Sequence, residues 1–133
     1  MNEVQHTSYP PIEKPILVYD GDCGFCKYSL VKWKRKVGDR INEAPFQTAQ
    51  LKFKDIPESQ FKKAVHLILT DGRVFQGAAA AFYSLHLAGN VRWYDLYTRS
   101  SIFSSATEWI YNLIARNRNT AFYWAKLILG EQP

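Results

Sequence analysis

The chain has 133 residues, of which 47% are hydrophobic and 22% charged, so its composition is that of a single globular domain and argues against disorder. Its formal net charge of +5 is spread along the sequence, and we therefore predict no nucleic-acid partner. The one basic cluster, between Lys32 and Arg40, is expected to be the solvated face of a helix. We find no secretory signal and no apolar stretch of membrane-spanning length, so we expect a cytoplasmic protein.

The predicted elements begin after residues 1–14, which contain two adjacent prolines and are expected to form a loose, flexible lead-in. A short apolar strand follows over Ile16–Tyr19. The next segment, Gly24–Val37, has apolar residues at steps of three and four, which predicts a helix with one face against a sheet. Gly38 is expected to end this helix.

Two weaker elements come next. A second strand is predicted within residues 40–50, centred on Ala44 to Thr48, and Pro45 favours an edge position because proline has no backbone N–H. The amphipathic segment over residues 52–63 is predicted to contain a short helix that starts at Pro57.

A β-hairpin and a helix complete the core. Residues 65–69 are apolar, an Asp71-Gly72 turn follows, and the strand pattern resumes at Val74. An apolar helix over residues 78–87 comes directly afterwards. The order β-α-β-α-β-β-α predicts an α/β fold with a thioredoxin-like mixed sheet, which we assign to residues 15–90.

The C-terminal segment, residues 91–133, is rich in Trp, Tyr and Phe interleaved with arginines. We predict two helices there, over residues 105–116 and 120–129, with Ser105 and Glu108 spaced as a capping box. Our interpretation is a helical extension packed on the core. The alternative is that its aromatic and basic face meets a partner protein or a membrane surface.

The two cysteines of the sequence, Cys23 and Cys26, lie where the first strand meets the first helix. This junction places the leading thiol at unpaired backbone N–H groups and at the positive end of the helix dipole, which favour a thiolate. We therefore predict that Cys23, nearer to solvent, attacks a disulfide and that Cys26, turned inward, resolves the mixed disulfide.

The residues around this pair have predicted roles of their own. Asp20 is expected either to exchange a proton with Cys26 or to hold the loop by an Asx-type hydrogen bond. Asp22 is expected to cap the helix, and Gly24 permits a close backbone approach. Phe25 is expected to shield the site or to pack on a neighbour. Both carboxylates oppose the formation of a thiolate.

The segment from Tyr19 to Cys26, YDGDCGFC, resembles the D-x-x-C-x-x-C signature of the DCC family of predicted thiol-disulfide oxidoreductases. The likeness continues in parts of residues 65–78 and in residues 111–119, so it extends over about residues 16–120. The resemblance implies a thioredoxin-like fold and disulfide exchange with protein or low-molecular-weight thiols.

In the better-known thioredoxins, a cis-proline faces the dithiol and aligns the backbone of the substrate. Its position falls here at Ala64 or Val65, neither of which is a proline. We predict that Ala64 and Val65, together with Asp22, Gly24 and Phe25, are the substrate-binding residues.

Three alternatives stand beside this hypothesis. A zinc site needs four ligands, which would have to include Asp20, Asp22 or a histidine, or be shared between two chains. The Asp20-x-Asp22 pattern after an apolar strand also resembles the opening motif of haloacid-dehalogenase-type phosphatases, but no acidic pair follows downstream. The third is an adaptor or redox sensor without turnover that binds a partner through its C-terminal helices. We predict no metal, because the sequence has no second C-x-x-C and no H-x-x-x-H. We predict no nucleotide cofactor, because no Gly-rich phosphate loop is present.

Overall fold

The strands of the protein form a single mixed sheet. The computed structural model describes residues 5–129, leaving aside the side chains of residues 25, 122, 125, 126, 128 and 129. The strands are β1 Ile16–Tyr19, β2 Asn42–Pro45, β3 His66–Ile68 and β4 Val74–Gln76. They lie in the order β2-β1-β3-β4. β1 is parallel to β2 and antiparallel to β3, and β3 is antiparallel to β4.

Seven α-helices lie within the described part of the chain. Those of the core are α1 Gly24–Val37, α2 Phe46–Ala49, α3 Glu58–Lys63 and α4 Ala78–Leu87. Those of the C-terminal extension are α5 Arg92–Arg99, α6 Ser101–Arg116 and α7 Arg118–Leu129. None of the helices in residues 5–129 has both the length and the apolar character needed to cross a membrane.

This arrangement is a thioredoxin-like mixed α/β fold, as the sequence predicts. The parallel pair β1–β2 is connected through α1, and the hairpin β3–β4 is followed by α4. β1, α1 and α4 have the predicted bounds. Strand β2 lies at the edge of the sheet, in keeping with Pro45 at its end.

Both faces of the sheet are covered. In β1, Leu17 and Val18 point to opposite faces because side chains alternate along a strand. Val18 packs in a cluster with Phe61 of α3, whereas Leu17 packs with Val37 of α1 and Ala80 of α4. The apolar stripe of α1 therefore lies on the sheet, and the first turn of α1 is fixed next to the end of β1.

The predicted centre of the second strand is wrong, because the chain turns into α2 directly after Pro45. Proline cannot donate to a strand ladder, and its fixed φ, here −70°, suits the residue before a helix. The hydroxyl of Thr48 donates to the Pro45 carbonyl at 3.1 Å. Phe46 and Ala49 are both buried against the sheet by this turn.

The N-terminal segment, expected to be loose, is attached to the hairpin over the part that the structure describes. The Thr7 backbone N–H donates to the Gly72 carbonyl at 2.8 Å, and the Thr7 hydroxyl donates to Asp55 Oδ1 at 2.7 Å. Thr7 is only 1% exposed. Residues 1–4 of the predicted lead-in lie outside the described residues.

The extension has three helices where two were predicted. The predicted capping box is wrong, because α6 starts earlier and is capped by Ser100, whose hydroxyl accepts a backbone N–H from its first turn. Glu108 lies inside α6 and has a different function. Its Oε1 accepts the backbone N–H of Ala78 at 3.2 Å, and its Oε2 accepts the hydroxyl of Tyr97. Glu108 thus caps α4 from a neighbouring helix and joins the extension to the core.

Candidate active site

The loop before the dithiol is a tight turn built on Asp20. The carbonyl of Asp20 accepts the backbone N–H of Cys23 at 3.2 Å, and Asp20 Oδ1 accepts that of Asp22 at 3.0 Å. A Cβ atom on Gly21 would lie 2.8 Å from the Cβ atom of Pro45, which is closer than real Cβ contacts come. The close approach of β2 therefore requires glycine at this position.

Cys23 occupies the N-cap of α1. Its backbone is extended, and its Sγ accepts the N–H of Cys26 at 3.2 Å. The prediction that Asp22 caps this helix is wrong, because the cysteine itself does so. The sulfur thus lies at the positive end of the helix dipole, next to an N–H donor, and both features stabilise a thiolate.

Cys26 lies one turn further along α1, and both cysteines are free and half-buried. Burial raises the pKa of the Cys26 thiol to about 12, and a hydrogen bond with Cys23 acts in the same direction. The positive charge of Arg118 opposes this rise. Cys26 is therefore protonated at neutral pH, which suits a second, resolving thiol rather than the first nucleophile.

Both carboxylate oxygens of Asp20 have partners. Oδ1 accepts Gln47 Nε2 at 3.0 Å in addition to the turn N–H, and Oδ2 accepts Arg118 Nη1 at 3.1 Å. Burial raises the pKa of Asp20, but the hydrogen bonds and the charge of Arg118 outweigh it and hold that pKa below its ordinary value. A carboxylate that is ionised and fully bonded holds the loop well and is a weak base.

Two residues of this site escaped the sequence analysis. Gln47 of α2 also accepts the N–H of Gly21 through its Oε1 at 3.0 Å. A residue of the helix after β2 thus holds the turn in place. Arg118 starts α7, and its Nη2 donates to the Lys62 carbonyl at 2.9 Å. The signal for Arg118 was its place in the segment 111–119 that resembles the DCC family. Gln47 gave none, since its segment was predicted to be a strand.

Two hollows flank the dithiol, and the pair Asp20–Arg118 lines both of them. A polar cleft of about 460 Å³ lies beside Cys23 and contains the predicted residues Asp22 and Gly24. An apolar cavity of about 240 Å³ lies beside Cys26 and contains the predicted residues Ala64 and Val65. The backbone of Phe25 is in the first turn of α1, and its side chain lies outside the described residues.

The backbone of Val65 is already paired. Its N–H donates to the hydroxyl of Tyr111 at 2.9 Å, and its carbonyl accepts the N–H of Gly77 at 3.0 Å. Burial raises the pKa of Tyr111 to about 12, so its hydroxyl stays neutral. The described residues contain no cis peptide bond. Of the two candidate positions for aligning a substrate backbone, Val65 thus has its N–H bonded by α6 and its carbonyl bonded by Gly77.

No three His, Cys, Asp or Glu side chains within residues 5–129 converge in the way that a metal site requires.

Comparison with known proteins identifies a family. The family model described as DCC1-like thiol-disulfide oxidoreductase matches residues 17–124, which is more than half of the chain and includes the dithiol, Gln47 and Arg118. Nothing matched the chain among curated proteins or among solved structures. The match confirms the family that the sequence resembles.

Proposed function

The chain belongs to the DCC1-like thiol-disulfide oxidoreductase family, and from this premise we propose that it exchanges disulfides with a protein or low-molecular-weight thiol through Cys23 and Cys26. The observation that carries the proposal is the position of Cys23 at the N-cap of α1, with its Sγ 3.2 Å from the N–H of Cys26. This sulfur also borders the polar cleft, from which a disulfide can approach it.

In the first step, the Cys23 thiolate attacks one sulfur of the substrate disulfide. A bond forms between Cys23 Sγ and that sulfur, the substrate S–S bond breaks, and the other sulfur leaves as a thiolate. The N–H of Cys26 and the dipole of α1 stabilise the attacking charge. Arg118 pairs with Asp20 and offsets the charge of that carboxylate, which would otherwise oppose the thiolate.

In the second step, Cys26 gives its proton to the departed substrate thiolate and attacks Cys23 Sγ. The Cys23–Cys26 disulfide forms and the second substrate sulfur leaves as a thiolate, which takes from water the equivalent of the proton that Cys23 lost on ionising. The dithiol has thus lost two electrons, and the substrate has become two thiols. The reverse sequence oxidises a dithiol. Because burial keeps the pKa of Cys26 at about 12, the loss of its proton is the costly part of this step.

Asp20 holds the loop in this mechanism and does not carry the proton. Its hydrogen bonds and its ion pair with Arg118 stabilise the ionised carboxylate, and its pKa lies below the ordinary value. A base for Cys26 would need a pKa much closer to neutrality.

An adaptor or redox sensor without turnover is the second candidate. The observation in its favour is the row of exposed apolar side chains on the outer face of α6, where Ile102 is 82% and Trp109 63% exposed. Tyr123 and Trp124 of α7 are exposed as well. In this candidate, a partner protein binds to these exposed helices and the dithiol acts as a redox sensor without turnover.

A turnover assay with an artificial disulfide and a thiol reductant separates the two candidates. Wild-type protein should turn over, Cys23→Ser should lose all activity, and Cys26→Ser should stop after the first step with a mixed disulfide on Cys23 visible by mass spectrometry. Unchanged urea unfolding of both variants is the control for folding. If the wild-type protein shows no turnover, the adaptor or redox sensor replaces the oxidoreductase as the proposed function.

The direction of electron flow follows from the reduction potential of the dithiol, which is measured from its equilibrium with glutathione. A difference of about 30 mV in this potential corresponds to about 1.4 kcal/mol. In the predicted cytoplasmic setting, a separate thiol system would have to return the disulfide to the dithiol.

A further inference from the structure

The apolar cavity beside Cys26 is enclosed jointly by the core and the C-terminal extension. The core contributes residues of three elements to its lining, namely Leu17 of β1, Leu30 and Trp33 of α1, and Ala81 of α4. The extension contributes Ile114 of α6. Cys26 also lines the cavity, so a group bound there lies next to the resolving thiol.

The size of the cavity limits what it can hold. Pockets that bury drug-sized ligands have volumes of about 300–1,000 Å³. At about 240 Å³ this cavity is smaller, which suits one large apolar side chain rather than an aromatic cofactor. Its lining is mostly apolar, and the charged residues in it are Asp20 and Arg118.

The second hollow indicates what the rest of the ligand is. The cleft beside Cys23 is polar. Asn117 and Thr120 line it together with Arg118. A peptide has both kinds of group, a polar backbone and apolar side chains, whereas an apolar small molecule would leave the polar cleft unused.

Strand pairing is not available to hold such a peptide at Val65, because the N–H and the carbonyl of that residue are bonded to Tyr111 and Gly77. At Val65, recognition of a substrate must therefore come from side chains. The apolar cavity is the feature next to Cys26 that can distinguish one side chain from another.

We propose that this cavity binds one apolar side chain adjacent to the reacting cysteine of a protein or peptide disulfide. The inference rests on the proposed function and names its substrate class, namely disulfides flanked by apolar residues. In a fitted apolar pocket, a difference of a single methylene discriminates between substrates by about 10-fold to 200-fold.

Two short peptide disulfides test the proposal, one with Leu and one with Ser next to the cysteine. Wild-type protein should show a kcat/KM about tenfold or more higher for the Leu peptide. Ala81→Leu fills the cavity and should bring the ratio of the two values close to one. Ala79→Leu, on the same helix but outside the cavity, is the matched control and should keep the wild-type ratio.

A second variant covers the case in which Ala81→Leu fails to fold. Ile114 is 37% exposed, so Ile114→Asn changes the cavity wall at less risk to the core and should reduce the preference by about threefold or more. Equal turnover of both peptides by wild-type protein would overturn the cavity assignment and leave the proposed function standing. Turnover of a small aromatic disulfide but of neither peptide would overturn the peptide assignment and leave the proposed function standing. Turnover of none of the three disulfides would overturn both.

Discussion

Asp20 Oδ2 lies 3.1 Å from Arg118 Nη1, and this ion pair joins the residue after β1 to the first residue of α7 across 98 positions of sequence. Both side chains are largely buried, with 17% of Asp20 and 22% of Arg118 exposed. The pair lines both the cleft beside Cys23 and the cavity beside Cys26. The C-terminal extension is therefore part of the candidate site and not merely an addition to the core.

Arg118→Met should make Cys26 less reactive. The guanidinium lowers the pKa of the Cys26 thiol, so its removal raises that pKa further and leaves less thiolate at any given pH. In a Cys23→Ser background, we expect alkylation of Cys26 at fixed pH to slow about fivefold, equivalent to about 1 kcal/mol. The rate of iodoacetamide labelling, followed by mass spectrometry, measures this.

Two variants control for the loss of the arginine. Arg118→Lys keeps the charge and should recover part of the rate. Arg116→Met removes a neighbouring cation that does not bond Asp20, and should leave labelling of Cys26 unchanged. A rate in Arg118→Met equal to that of its parent would contradict the assigned role of the charge.

The contribution of Asp20 to stability should depend on pH. Its pKa in the folded protein lies below its ordinary value, so the contribution is present above the unfolded pKa, about 4, and is lost as the pH falls through the folded pKa. Asp20→Asn lacks this contribution and should be less stable than wild type by about 1 kcal/mol at pH 7. Urea unfolding over a pH series should show the difference shrinking below about pH 4. A difference that grew on acidification would refute the assignment.

Tyr111→Phe should destabilise the fold. The change leaves the partly buried N–H of Val65 without its acceptor, and an unsatisfied N–H in such a place costs about 1–2 kcal/mol. Urea unfolding measures this cost. Tyr123→Phe is the control, because Tyr123 is 59% exposed and its hydroxyl can bond to water. Equal stability of the two variants would mean that the Val65 N–H finds another acceptor.

Glu108→Ala should weaken the attachment of the extension. It removes the acceptor for the first N–H of α4 and for the hydroxyl of Tyr97, and the loss of a helix cap costs about 1 kcal/mol. Glu108→Gln keeps an oxygen and should cost less. The free energy of unfolding should increase in the order Glu108→Ala, Glu108→Gln, wild type. The variant Glu13→Ala, at an exposed site, is the control.

Local sequence patterns were sufficient for several elements. An apolar run followed by a turn and a helical period placed β1, the dithiol and α1, and the Asp71-Gly72 turn placed the hairpin. These patterns work because strand pairing in a hairpin and the amphipathic period of a helix involve residues close together in the chain. The signature around Cys23 is equally local, and it was enough to indicate the family that the family model confirms.

Other features depended on residues far apart in the chain. Gln47, Glu108 and Arg118 act on partners 27, 30 and 98 positions away, and no periodic pattern records such distances. The sequence by itself thus determined the fold class, the dithiol and the order of the core elements except α2, because short-range patterns encode them. Only the tertiary structure decided that Cys23 caps its own helix and that Tyr111 of α6 bonds the N–H of Val65. It alone also showed that Arg118 lies close to the two thiols. Packing brings together residues that are far apart in the chain, and no sequence pattern predicts such contacts.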